Sequence, residues 1–204
     1  MRVLKVLVAD EQHMVRGALV NLLETERDLQ VVASIGRGEL VIPAALECHP
    51  DVAIIDLDIA RLDGLTLAET MHEALPTCRT VILSGLARPG VLLRARTAHV
   101  AGLLLKTAPS ERLAEAVREV ASGHRLVDPQ LATLMWDVGE NPLSEREAEV
   151  LRYVAQGAEP IEIATALQLS VGTIRNYLTA VVAKLNARNR VDAVRIATET
   201  GWLP

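Results

Sequence analysis

The stretch Asp51–Glu69, DVAIIDLDIARLDGLTLAE, decides how the chain folds. Val52 to Ile55 are apolar without polar alternation, the composition of a strand covered on both faces. The run stops at Asp56, a carboxylate closing a buried strand. Asp58, Asp63 and Gly64 read as loop residues, with Gly64 supplying a turn conformation before a helical pattern over residues 65–75. Val100–Ser110, VAGLLLKTAPS, has the same build and ends its apolar run at Lys106. An ammonium there is costly unless something negative faces it.

Working outward from these units, three more apolar runs complete a series. They are VLKVLVA at 3–9, LQVVASI at 29–35 and RTVILSG at 79–85, beside VAIID at 52–56 and GLLLK at 102–106. Helical patterns separate or follow them at 14–24, 39–48, 65–75, 89–98 and 110–122, with Ser110 the expected cap of the last. Arg88-Pro89-Gly90 reads as a helix start. Five βα units predict an α/β doubly wound, five-stranded parallel sheet over residues 1–122. Residues 123–141, GHRLVDPQLATLMWDVGEN, read as a linker with one short helix at 130–136. Beyond it, residues 142–204 show only helical periods, at 145–156, 161–167, 171–185 and 191–200, which predicts a small all-α domain.

Composition agrees with two domains. The chain has 204 residues, and its four aromatics, Trp136, Tyr153, Tyr177 and Trp202, all lie beyond residue 135. No apolar run approaches the roughly 20 residues of a membrane span, and an acidic residue interrupts the N-terminal run, so the expectation is a soluble, cytoplasmic protein. Cys48 and Cys78 lack metal-site spacing and are expected as free thiols; the five histidines are scattered, with no ligand pair among them. The net charge of −5 argues against general coating of nucleic acid. Locally, however, Arg175, Lys184, Arg188, Arg190 and Arg195 face only Asp192 within residues 175–195. One basic stripe is enough for DNA.

In a doubly wound sheet the chemistry collects at the carboxyl ends of the strands. Those ends carry Asp10 and Glu11, then Asp56, Ser84 and Lys106. Three converging carboxylates call for a cation, and oxygen ligands of this kind suit Mg²⁺. A hydroxyl and an ammonium complete a set able to hold a phosphoryl group, with a carboxylate as its acceptor.

These segments resemble the receiver domain of two-component response regulators. VLVADEQHMVRGALVNLL is similar to its acidic-pair segment, DVAIIDLDIARLDGLTLAE to its phosphoacceptor segment and GLLLKTAPSERLAEAVREV to its lysine segment. The resemblance implies phosphorylation at Asp56, Mg²⁺ held by Asp10, Glu11, Asp56 and the Asp58 backbone carbonyl, and Ser84 as the switch hydroxyl beside Lys106. Three positions depart from that pattern. Glu11 stands for a second aspartate, Ala60 for a proline and Leu103 for the switch aromatic.

The C-terminal segment IEIATALQLSVGTIRNYLTAVVAKL has helix-turn-helix grammar, with Ser170 capping the second helix. Ile174, Leu178, Val181 and Leu185 form its inner stripe. Arg175, Asn176 and Thr179 stand on the outer face, and Arg and Asn pair with guanine and adenine in the major groove. With NPLSEREAEVLRYVAQG before it and NARNRVDAV after it, the segment resembles the LuxR-type domain of NarL/FixJ response regulators. On that resemblance Arg175, Asn176 and Thr179 face bases. Thr173, Tyr177, Lys184, Arg188 and Arg190 contact phosphates or support the helix. Glu159-Pro160-Ile161 replaces a polar Ser-Asn-Lys, which loses one basic residue and adds one acidic.

The function expected is a phosphorylation-controlled transcription factor. Its partners would be a histidine kinase, promoter DNA, a second copy of the chain and RNA polymerase. Details such as RGALVNLLE, LARPG and ETGWLP are most similar to a branch whose kinases sit in the membrane. Dimer seams are expected on the helices at 14–24 and 110–122, and on Val191, Val194, Ile196 and Ala197 of the last helix. Two alternatives stand beside this reading. One is a receiver switched by protein binding rather than phosphate. The other is a phosphohydrolase of the haloacid dehalogenase type, which also uses an aspartate nucleophile but places it on the first strand.

Overall fold

Every strand expected from the apolar runs forms: β1 (Leu4–Ala9), β2 (Leu29–Ile35), β3 (Val52–Asp56), β4 (Arg79–Ser84) and β5 (Gly102–Leu105). The structure, a computed structural model, describes residues 2–59, 62–85, 91, 94–95, 98–137 and 141–203, with the side chains of 134–137 left aside. Most of the helix expected at 89–98, together with Ala60 and Arg88-Pro89-Gly90, lies outside the described residues. The other helices of the first part are α1 (His13–Glu24), α2 (Val41–Cys48), α3 (Gly64–Ala74) and α4 (Glu111–Ala121).

The sheet runs in the order β2-β1-β3-β4-β5-β6, every pair parallel, with the order reversing between β1 and β3. Its strands are apolar throughout because both faces are covered. Val6, Val8, Val52, Ile54, Val81 and Leu83 form one cluster with Leu23 of α1 and Leu113, Val117 and Val120 of α4. Alternate residues such as Leu7, Ile55, Ile82 and Leu103 are equally buried outside that cluster.

The sixth strand, β6 (Leu126–Val127), corrects the expectation of five. It pairs with Gly102 and Leu103 of β5, so the segment read as a linker begins inside the sheet. Two residues are too few to show a period, yet they cover an edge that would otherwise leave backbone groups unpaired. The helix expected next forms as α5 (Pro129–Asp137). Accordingly the first compact unit holds residues 1–87 and 94–133, beyond the boundary expected at 122.

Ser110 is a second correction. It is already helical and makes no side-chain cap; the first turn of α4 is closed by the Pro109 and Ser110 carbonyls. Cys48 and Cys78 are free, and burial pushes the Cys78 thiol up to about 12, which leaves it inert. Among the histidines, His72 and His99 stack with ring centroids 4.1 Å apart, a pairing their spacing does not announce.

From residue 141 through residue 203 the described residues form four helices, α6 (Glu145–Ala155), α7 (Pro160–Leu167), α8 (Val171–Lys184) and α9 (Arg190–Glu199), all in the second unit. Ser144 and Glu147 cap α6 reciprocally, and Ser170 accepts from the Thr173 N–H at 3.0 Å to start α8. Gly157, at φ 87°, ends α6 in the left-handed region. Gln168, at φ 55°, turns the chain between α7 and α8. Two apolar clusters hold the unit together, one around Leu151, Val181 and Ala193, the other around Val150, Ile163 and Ile174.

Candidate phosphoacceptor pocket and nucleic-acid interface

Register assembles the first site. Ala9 pairs with Ile55, which sets Asp10 level with Asp56. Asp56 pairs with Leu83 and Ser84 with Leu105, so Ser84 and Lys106 each fall one step further along the carboxyl edge. Asp10, Asp56 and Ser84 are all buried. The Lys106 Nζ donates to Asp10 Oδ2 at 2.7 Å and lies 3.0 Å from Asp56 Oδ1. The ammonium that looks misplaced in the sequence is the bridge between two carboxylates far from it along the chain.

Two buried carboxylates share one ammonium, and the titration behaviour reflects the deficit. Burial pushes the Asp56 carboxyl up, helped by the Asp10 charge, while Lys106 and the Asp58 backbone N–H pull it down. Burial acts to lower Lys106, but its bonds to Asp10 and Asp56 prevail and hold the ammonium above its ordinary value.

Glu11 is not brought into this cluster. Its side chain is exposed, and among the described residues no group of three or more His, Cys, Asp or Glu forms a metal cage. The expected triple of carboxylates is therefore a pair. Asp58 is exposed, with its backbone against Asp56. A pair suffices for Mg²⁺, which keeps several waters and takes one or two carboxylates plus phosphate oxygens. The excess negative charge gives such an ion a reason to bind.

Two supporting residues, Arg16 and Asp128, escape the sequence reading, and Asp63 and Gly64, read there as loop residues, take on further roles. Arg16 donates to the Asp10 carbonyl at 2.5 Å and to His13 Nδ1 at 2.7 Å. A Cβ on Gly36 would meet its guanidinium at 2.8 Å. Gly64 has no left-handed φ, so its expected role in the turn is corrected. It is required by close approach, since a Cβ there would lie 2.4 Å from the Asp56 carbonyl oxygen and 2.9 Å from Leu57 Cα. Asp63 caps α3 by accepting from Leu65 N, and it also pairs with Arg94. Asp128 is buried: its N–H donates to the Leu103 carbonyl at 2.8 Å, and its carboxylate accepts from Leu105 N at 3.3 Å and Gln130 N at 2.9 Å. It ties α5 to the strand that ends in Lys106. An Asp-Pro pair opening a helix was the available signal. Leu103, where the family has its aromatic, is fully enclosed.

On α8, Arg175, Asn176 and Thr179 are exposed together on one face, as expected. Thr173 is bonded to Ser170, and Tyr177 packs against the cluster of Ile163 and Ile174, so both support the helix. The remaining cations are held internally. Lys184 pairs with Glu147 at 2.6 Å, Arg188 with Asp192 at 3.1 Å and Arg190 with Glu159 at 3.3 Å. Arg195 bonds both Asp192 and Glu199. The apolar residues expected as a seam on α9 also divide: Ala197 is core, Val194 and Ile196 pack against it, and only Val191 is exposed, at 70%.

These pairs make the helical unit acid-sensitive. The Arg188 guanidinium, joined by Arg195, holds the Asp192 carboxyl well below the usual range. For Glu147, burial acts upward but Lys184 and Ser144 prevail and lower it. A depressed carboxyl contributes stability that is complete above its unfolded value and lost as pH falls toward the folded one. The melting temperature of this unit should hold down to about pH 4.5 and fall steadily below it. A flat profile between about pH 5 and 2.5, followed by circular dichroism, would contradict this.

A doubly wound sheet with an Asp-Asp-Lys pocket at its carboxyl edge, joined to a helix-turn-helix unit, defines a response regulator. The chain belongs to the NarL/FixJ type of that family, DNA-binding transcription regulators with a receiver and a LuxR-type domain. Residues 6–118 match the family "Response regulator receiver domain", and residues 141–197 match "Bacterial regulatory proteins, luxR family". Transcriptional regulatory protein DesR of Bacillus subtilis (strain 168) is 39% identical over 98% of this chain and 98% of its own. The response regulator ChrA of a heme-sensing two component system is 30% identical in a solved structure, with TM-score 0.60 and 97% of each chain covered. RcsB of Salmonella enterica serovar Typhimurium, solved on promoter DNA with the phosphomimetic BeF3-, shares the fold at TM-score 0.74 and 24% identity, covering 96% of this chain and 98% of that one.

Proposed function

We propose that the protein is a cytoplasmic transcription regulator whose Asp56 accepts a phosphoryl group from a partner histidine kinase. The observation that carries this reading is Lys106, bonded at once to Asp10 and lying 3.0 Å from Asp56. An Asp56 oxygen attacks the phosphorus of the phosphohistidine, the P–N bond breaks, and an aspartyl-phosphate forms. Lys106 faces the new negative charge without having to be recruited, and the Ser84 hydroxyl donates to a phosphoryl oxygen. Mg²⁺, held by Asp10, Asp56 and the Asp58 carbonyl with Glu11 at the rim, would neutralise charge on the phosphoryl oxygens.

Phosphorylation then favours a dimer that reads promoter DNA through Arg175, Asn176 and Thr179 and presents itself to RNA polymerase. Support for the dimer comes from α1 and α4. Val15, Leu19, Leu22, Leu104 and Leu113 line an apolar groove of about 280 Å³ there, and Met14 of α1 is 90% exposed. Two copies compensate for weak single-domain binding.

Incubation with acetyl phosphate and Mg²⁺ should add one phosphoryl mass to the intact protein and shift its sedimentation toward a dimer. Asp56→Asn should abolish both. It should also raise the receiver's melting temperature by a few degrees, because it removes one of two buried like charges while Asp10 keeps Lys106 paired. Leu103 favours a second reading, since an enclosed aliphatic side chain cannot make the ring movement of a standard switch. A protein that gains no phosphoryl mass yet binds DNA would support control by protein binding.

A further inference from the structure

In a helix-turn-helix the second helix lies in the major groove while the first crosses the sugar-phosphate backbone. The first turn of α7 is thus where a phosphate passes, and a helix start ordinarily offers it free N–H groups and the positive end of a dipole. This helix start offers fewer such groups. Pro160 has no N–H to give, and Glu162 Oε2 accepts the Glu159 N–H at 2.7 Å. The Glu159 carboxylate holds the Arg190 guanidinium at 3.3 and 3.5 Å. Glu159 is 61% and Arg190 45% exposed, so this is a loose surface pair rather than part of the core.

The wider charge pattern matters as much. Residues 141–204 carry seven cations and seven carboxylates. Five of the seven cations, Arg146, Lys184, Arg188, Arg190 and Arg195, are paired within the unit. Of those five, Arg190 is the one joined to the start of the backbone-crossing helix. Its partner is also the acid that stands there in place of a small polar residue.

We infer that Glu159 is an electrostatic brake on DNA binding. It occupies Arg190 on the edge where the DNA backbone passes and so withholds one phosphate contact. The inference rests on the DNA-binding reading and deepens it. A single copy is kept weak, so binding depends on bringing two copies together. Glu159 is a determinant of affinity and of salt dependence, not a group that reads sequence.

Full-length protein is titrated against a random-sequence duplex of about 30 base pairs over a range of salt concentrations, which needs no knowledge of the operator. Glu159→Gln should tighten binding about 5- to 10-fold near 0.1 M salt and steepen the log–log salt slope by about 0.9 per bound protomer, one added phosphate contact. Glu159→Asp keeps the charge and should change binding less than about twofold. Arg190→Ala should be nearly silent alone but should cancel the gain in the Glu159→Gln background. Thermal melts of each variant check that the unit is folded. A gain that survives Arg190→Ala would overturn the inference, as would a Glu159→Gln protein with unchanged affinity and slope while Arg175→Ala still weakens binding. If the wild-type protein fails to bind even at low salt, the DNA-binding reading itself has failed.

Discussion

Gly64→Ala should destabilise the receiver unit by about 3 kcal/mol and block phosphoryl uptake from acetyl phosphate. A methyl group at this position would lie 2.4 Å from a backbone oxygen and 2.9 Å from a backbone carbon. Neither atom belongs to a flexible side chain that could swing aside. The backbone that must move carries Asp56 and Leu57, and Gly64 N–H donates to the Leu57 carbonyl at 2.8 Å, so displacement also strains the loop's own closing bond. Asp56 would lose its register with Lys106. Gly17 supplies the matched control. It is exposed in α1 with nothing within 4 Å of a built Cβ, so Gly17→Ala should stabilise by about 0.5–1 kcal/mol through helix propensity alone. Differential scanning calorimetry with intact mass measures both. Equal effects of the two substitutions would show that the close approach at Gly64 does not govern the loop.

The second large effect is expected at Arg175. Within residues 141–203, Arg152 and Arg175 are the cations outside the unit's internal ion pairs, and Arg175 stands beside Asn176 on the exposed face of α8. Arg175→Ala should cost about 1–3 kcal/mol of DNA binding per protomer, compounded in a dimer, with no loss of stability. Lys184→Met reverses this. The Glu147 carboxylate it abandons is buried, so folding weakens, by about 1 kcal/mol because Ser144 still bonds it and the lysine end is partly solvated. Fluorescence anisotropy and thermal melts separate the two. Matching losses of affinity in both variants would mean that Lys184 exchanges Glu147 for phosphate on binding.

The elements of this fold were legible because their signals are local. Buried parallel strands announce themselves as unbroken Val, Ile and Leu, and the helices by their apolar period, so most ends fall within two residues of expectation. Strand β6 was not legible, since two residues show no period. Asp10, Asp56, Ser84 and Lys106 were found because topology sends strand ends to one edge. Glu11 was grouped with them as the second acid after β1 and by resemblance to the family's acidic pair, and neither fixes where its side chain points.

The two-part architecture, the parallel sheet, the helix-turn-helix and the residues gathered at the strand ends and on the outer face of α8 could be read from the sequence. Those follow from periodicity and residue type along short windows of chain. Which carboxylates Lys106 bridges, why residue 64 must lack a Cβ and which basic residues are already committed to acids emerge from the folded chain. Charge and volume act through distances between residues far apart in the chain, and register and packing set those distances.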